Sequence, residues 1–192
     1  MGGSNRNTTL VEGGLVALAA ALPLFCVPAG ASPADDQATW VPKEINFVYT
    51  GFTTKYSCDG FQAKMRGILL QLGARDDLKV TRYGCFQAYA PETTPGVRIV
   101  MHVLQPAKGT AAQTVSAHWK SVDLLANREL FDAAKDCELI AQIDQQILPL
   151  FATRNVDYSA RCSANAPLIG GTRLKAEVLL ADSGAAAAPR GR

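Results

Sequence analysis

Cys58-Asp-Gly-Phe-Gln-Ala-Lys-Met-Arg-Gly-Ile-Leu-Leu-Gln-Leu-Gly-Ala-Arg75 is answered 79 positions later by Cys137-Glu-Leu-Ile-Ala-Gln-Ile-Asp-Gln-Gln-Ile-Leu-Pro-Leu-Phe-Ala-Thr-Arg154. Each stretch opens on a cysteine, carries apolar residues at helical spacing and closes on an arginine. In the first, Phe61, Met65, Ile68, Leu69 and Leu72 form one stripe of a helix that Ser57 or Asp59 can cap and Gly73 can end. In the second, Asp136 can cap a helix carrying Leu139, Ile140, Ile143 and Ile147, which Pro149 should stop or kink. The same offset carries Ala38 onto Ala117, Trp40 onto Trp119 and Phe52 onto Phe131. After small deletions Cys85 matches Cys162, and Gly96-x-Arg98-Ile99 matches Gly171-x-Arg173-Leu174. The pattern reads as an internal duplication.

Strand signals complete the two copies. The stretch from Ile45 to Thr54 is rich in aromatic and β-branched residues, and Leu78 to Tyr83 reads as a second strand. A turn-rich loop, Ala90 to Gly96, leads to Val97, Ile99, Met101 and Val103, which alternate with Arg98, Val100, His102 and Leu104 in a strand buried largely on both faces. In the second copy Trp119–Leu125 is a weaker strand and 126–135 a loop or helical turn, with further strands at Asn155–Ser159 and Arg173–Leu180. Each module, about 38–106 and about 117–181, is thus β-α-β-β, and Lys108 to Gln113 links them. A module of roughly 65 residues buries little by itself. The expected fold is therefore one α+β domain over 40–181, in which both modules share a mainly antiparallel sheet with two helices on one face.

The N-terminus reads as an export signal. Arg6 precedes an apolar run from Leu15 to Val27 and an Ala29-Gly-Ala31 cleavage site, so residues 1–31 are expected to be a signal peptide. The run is shorter than the roughly 20 residues needed to cross a bilayer, and no later stretch suggests a transmembrane anchor. Residues 32–39 read as a flexible lead-in and 182–192 as a disordered, alanine-rich tail. Cleavage removes Cys26 and leaves four cysteines, which in a periplasmic or secreted protein implies two disulfides. A helix of about 13 residues climbs about 20 Å and a short strand returns over a similar distance, bringing Cys85 back to Cys58 and Cys162 back to Cys137. The expected bridges are Cys58–Cys85 and Cys137–Cys162.

Chemistry is sparse by comparison. A net charge of +2, scattered along the chain, points to neither nucleic acid nor an anionic membrane as partner. No C-x-x-C and no zinc spacing occur, so neither a metal nor another cofactor is expected. His102 sits in an apolar strand and His118 precedes Trp119; both read as sheet residues, and nothing resembles a nucleophile elbow. Gly170-Gly171 precedes a strand rather than a helix and so is a turn, not a phosphate cradle; Asp35-Asp36 and Asp76-Asp77 read as solvated loop residues, not a calcium loop. Arg75 and Arg154 fall at the helix-to-strand turns, Arg98 and Arg173 at the start of the last strands. They are candidates either for fixing structure through carboxylates and loop carbonyls or for holding an anionic ligand. Among Phe47, Tyr49, Phe52 and Tyr56, part is core and the remainder a recognition patch.

These features point to an exported, non-catalytic binding or interaction module, with an envelope protein or a peptide as partner. It would use a groove between the copies or an exposed sheet edge. The alternatives are a small extracytoplasmic hydrolase using His102 or His118 and a structural protein of the cell envelope. No catalytic residue is assigned.

Overall fold

Apolar alternation along the strands builds a sheet with one face turned to a core. The computed structural model describes residues 36–86, 90–108, 113–132, 135–162 and 171–182. The strands and helices are β1 (Asp36–Val48), β2 (Tyr56–Ser57), α1 (Cys58–Gln71), β3 (Lys79–Tyr83), β4 (Pro91–Glu92), β5 (Gly96–Pro106), β6 (Val115–Asp123), α2 (Cys137–Gln142), β7 (Thr153–Ser159) and β8 (Arg173–Ala181). Six strands form an antiparallel sheet in the order β3-β5-β1-β6-β8-β7, and β2 pairs with β4 in a separate ribbon. This is an α+β fold with two helices, and its disulfides are Cys58–Cys85 and Cys137–Cys162. Residues 1–35, 109–112 and 183–192 lie outside the described residues, and with them the expected signal peptide, the middle of the linker and nearly all of the expected tail.

The sheet order mirrors itself about its middle, with β1, β5 and β3 on one side and β6, β8 and β7 on the other. Trp40 stands opposite Leu104 across β1 and β5, and Trp119 stands opposite Leu179 across β6 and β8. The two half-sheets meet over a short seam, Asp36–Ala38 against Val115–Ala117. Beyond it, β1 and β6 have no ladder partner on their facing edges among the described residues.

Several boundaries differ from the sequence reading. Residues 36–39 are not a flexible lead-in but the beginning of β1, because Ala38 is fully buried against Leu104, Ala117 and Leu179. That strand ends at Val48; beyond it the Tyr49 and Gly51 amides still donate to the Pro95 and Thr93 carbonyls, while the segment from Tyr49 to Thr54 also contacts Lys135, Glu138 and Gln142. The strand opening the second copy is longer than expected and lies earlier, at Val115–Asp123. The second helix is short: after Gln142 it widens into a π turn, Ile143–Ile147, and tightens into a 3-10 turn, Leu148–Leu150. Pro149 is the physical cause, since it has no N–H to donate and its ring crowds the carbonyl four residues back.

α1 is capped by Ser57, whose Oγ accepts from the Gly60 amide at 3.2 Å, and it stops where Gly73 adopts φ +92°. Its buried stripe of Phe61, Met65, Ile68 and Leu69 joins Phe47, Ile99 and Met101 from the first half-sheet. Leu139, Ile140, Ile143 and Ile147 join Val122, Leu174 and Val178 from the second, and all belong to one continuous core. Both helices therefore cover the same sheet face.

A polar lock closes that core at the start of α2. Asp136, only 2% exposed, accepts from Lys64 Nζ at 2.7 Å, from the Asp132 amide at 2.7 Å and from the Tyr56 hydroxyl. One oxygen of Glu138 accepts from the Tyr49 hydroxyl at 3.0 Å, the Phe52 amide at 3.0 Å, and the Thr53 amide and hydroxyl at 3.1 and 2.8 Å. Gln142 exchanges hydrogen bonds with both backbone groups of Thr50, at 3.0 and 2.7 Å. Burial pushes the Glu138 carboxyl upward, but its hydrogen bonds from Thr53, Tyr49 and Phe52 outweigh it and hold the group below the ordinary glutamate range. A carboxyl so depressed adds stability above its unfolded pKa, and that stability is lost as pH falls through the lower folded value. Glu138→Gln is accordingly expected to destabilise the protein at pH 7, with the gap to wild type narrowing between about pH 5 and pH 3. Urea midpoints measured across that range check this; parallel curves would remove Glu138 from the lock.

Candidate functional site

With both helices on one face, the other face of the sheet is left without a described helix. Its side chains come from alternate positions: Trp40, Glu44 and Val48 on β1, Arg98, Val100, His102 and Leu104 on β5, and their counterparts across the seam. A small apolar cluster sits at the centre of this face, where Ala38, Leu104, Ala117 and Leu179 are buried between the partly exposed Trp40 and Trp119.

The four arginines singled out in the sequence all have acidic partners. Arg75 clasps Asp77 through Nε at 3.0 Å and Nη2 at 2.6 Å, and its guanidinium lies 5.5 Å from the Trp40 ring. Arg154 donates from Nε to Glu177 at 2.5 Å and lies 4.4 Å from the Trp119 ring. Arg98 pairs with Glu44 at 2.5 Å and Arg173 with Asp157 at 2.6 Å, each reaching diagonally to the neighbouring strand. The hydrogen bond with Arg75 draws Asp77 below the ordinary aspartate range, and that with Arg154 does the same for Glu177. Arg75, in the turn before β3, and Arg154, which lies within β7 and not in the expected turn, each set a guanidinium over the tryptophan of their own half.

The histidines are tied into the same pairings. Arg75 Nη2 donates to His102 Nδ1 at 2.8 Å, so that ring nitrogen is an acceptor facing a guanidinium. His118 points to the helix-covered side of the sheet, like Leu180 across from it, and its Nδ1 meets Asp182 at 2.5 Å. Among the described residues no serine, threonine or cysteine side chain is hydrogen-bonded to either ring. The closest grouping of metal-binding side chains is Cys58 and Cys85 with Glu92, ligand atoms within 4.8 Å, but the two sulfurs are bonded to each other and offer no thiolate. Of the aromatic group, Phe47 and Tyr49 are buried and Tyr56 is half-buried, while Phe52 is 91% exposed.

A concavity opens at the end of the face where β6 stops and β8 begins. It measures about 290 Å³ and is lined by Asp123, Leu125, Arg128, Thr172, Arg173 and Lys175, with Ala126 at its rim. The chain matches no family model, no curated protein and no solved structure.

Arg173 alone among the sequence candidates lines this hollow. Arg128 and Lys175 carry no sequence signal: Lys175 falls outside the matched residues, where the expected duplication sets it against Val100, and a solitary exposed arginine fits no motif. The groups that join the halves, Asp136 and Glu138, were also missed as partners of Lys64 and Tyr49, which lie more than seventy residues away in the chain.

Proposed function

We propose that this protein is a non-catalytic binding module, exported to a periplasmic or extracellular space, that recognises its partner with the helix-free face of the sheet. The observation carrying this reading is the face itself. Two Trp–Arg pairs and a basic hollow share this surface, and among the described residues no serine, threonine or cysteine is hydrogen-bonded to either histidine ring. Two disulfides are in keeping with an oxidising compartment, and no helix among the described residues is long and apolar enough to cross a membrane. In this reading the alike halves are pseudo-repeats of one β-α-β-β module, and an envelope protein or peptide is the partner.

Affinity capture from envelope extracts tests it when wild type is compared with two sets of variants. Val100→Asp with Ser121→Arg places charge and bulk on exposed positions of the sheet face, whereas Leu70→Asp alters an exposed position of α1. A partner lost with the sheet-face pair and retained with Leu70→Asp is the expected result. Capture indifferent to the sheet-face pair, or turnover of ester or peptide substrates abolished by His102→Ala or His118→Ala, would count against it.

A further inference from the structure

We infer that the hollow between the end of β6 and the start of β8 is a binding site for a phosphate group or a comparable tetrahedral oxyanion. The inference deepens the binding reading above, since the hollow lies on the same sheet face. Its lining presents hydrogen-bond donors almost alone. Arg128, Arg173 and Lys175 contribute three cationic heads and Thr172 a hydroxyl, against the single carboxylate of Asp123. Both oxygens of that carboxylate are already engaged: Oδ1 accepts from the Leu125 amide at 3.1 Å, and Oδ2 pairs with Lys175 at 3.0 Å. The charge of Asp123 is thus already matched by Lys175 within the hollow.

Charge balance points the same way. Arg75, Arg98 and Arg154 on this face each have a carboxylate within 3.0 Å, and Arg173 shares its charge with Asp157. Arg128 is the exception, with no carboxylate in ion-pair range among the described residues. Arg128 is left unmatched beside Arg173 and Lys175, whose charges are shared with Asp157 and Asp123, so the hollow keeps a net positive charge that an entering anion would neutralise. Two guanidiniums and an ammonium in one lining suit the oxygens of a tetrahedral oxyanion better than the two of a carboxylate. The corresponding end of the first half-sheet lacks this character, because Val100 stands where Lys175 does and Arg98 is matched by Glu44. The site thus belongs to the second half alone.

Amide chemical shifts of the full chain, titrated with inorganic phosphate at constant ionic strength, test the proposal. Saturable shifts at Leu125, Ala126, Thr172 and Arg173, with sulfate acting similarly and acetate at least fivefold more weakly, are expected. Arg128→Gln, an exposed change that breaks no described contact, should weaken phosphate at least tenfold, and Lys175→Gln should do so as well. Parallel titrations with glycerol phosphate and with phosphatidylglycerol vesicles distinguish a free ligand from a bilayer-held one; either, if abolished by Arg128→Gln, supports the site. Shifts no larger than chloride produces, acetate binding as tightly as phosphate, or unchanged binding by Arg128→Gln would overturn it. None of these outcomes depends on whether a protein partner is captured, so the two readings fail separately.

Discussion

Asp136→Asn is expected to lower the stability of the fold by about 3–5 kcal/mol, the cost of leaving a buried charge without its partner. The carboxylate is almost wholly buried and receives hydrogen bonds from Lys64, Tyr56 and the Asp132 amide. An amide in its place keeps the shape but not the charge. It would leave the Lys64 ammonium beside the Leu130 carbonyl and the Tyr56 and Phe131 rings without a counter-ion. Removing both charges should be milder than removing one, so Lys64→Met with Asp136→Leu is expected to recover part of the loss. Urea unfolding of wild type and these two variants checks both statements. A loss below about 1 kcal/mol for Asp136→Asn would mean that the pair is solvated enough to be dispensable.

The disulfides carry the second large effect. They close loops of 27 and 25 residues in sequence separation. Chain entropy then assigns each bridge a stabilisation of about 3.5 kcal/mol by restricting the unfolded state. The Cys58→Ser/Cys85→Ser and Cys137→Ser/Cys162→Ser proteins should each show a correspondingly lower urea midpoint. Removing both bridges would remove about 7 kcal/mol, comparable with the whole stability of many domains of this size, and should leave the chain largely unfolded at 37 °C. A midpoint unchanged in either pair would show that the loop is already restricted without its bridge.

Much of this architecture was legible because its signals are local or periodic. The stripe from Phe61 to Leu72, the cap at Ser57 and the stop at Gly73 lie within one helix, and the cysteine spacing needed only element lengths to choose among three pairings. Distant contacts were not legible. Nothing near Tyr49 in the chain indicates that it donates to Glu138, and nothing near Lys64 announces Asp136. Aspartate at position 136 read as a helix cap, but its side chain makes no capping hydrogen bond and serves as a counter-ion instead. The arginines were ambiguous between structure and ligand, and the carboxylates beside them resolve that only in three dimensions. Apart from Arg173, the hollow is built from residues outside the matched pattern, Asp123, Arg128 and Lys175 among them, which only the folded chain brings together.

The seam between the half-sheets, three residues from each strand, has a consequence for the order in which the chain folds. Within each half the helix and the β3–β5 and β7–β8 pairings close over short stretches of chain, whereas β1–β5 and β6–β8 pair over about 50 to 70 residues. The groups that join the halves are separated by more still: 72 residues for Lys64 and Asp136, 89 for Tyr49 and Glu138. So few ladder rungs cross the seam that side-chain docking, not strand zippering, must supply most of the free energy of closure. The first half consequently keeps part of its apolar surface uncovered until the region around Cys137 has been made and can dock.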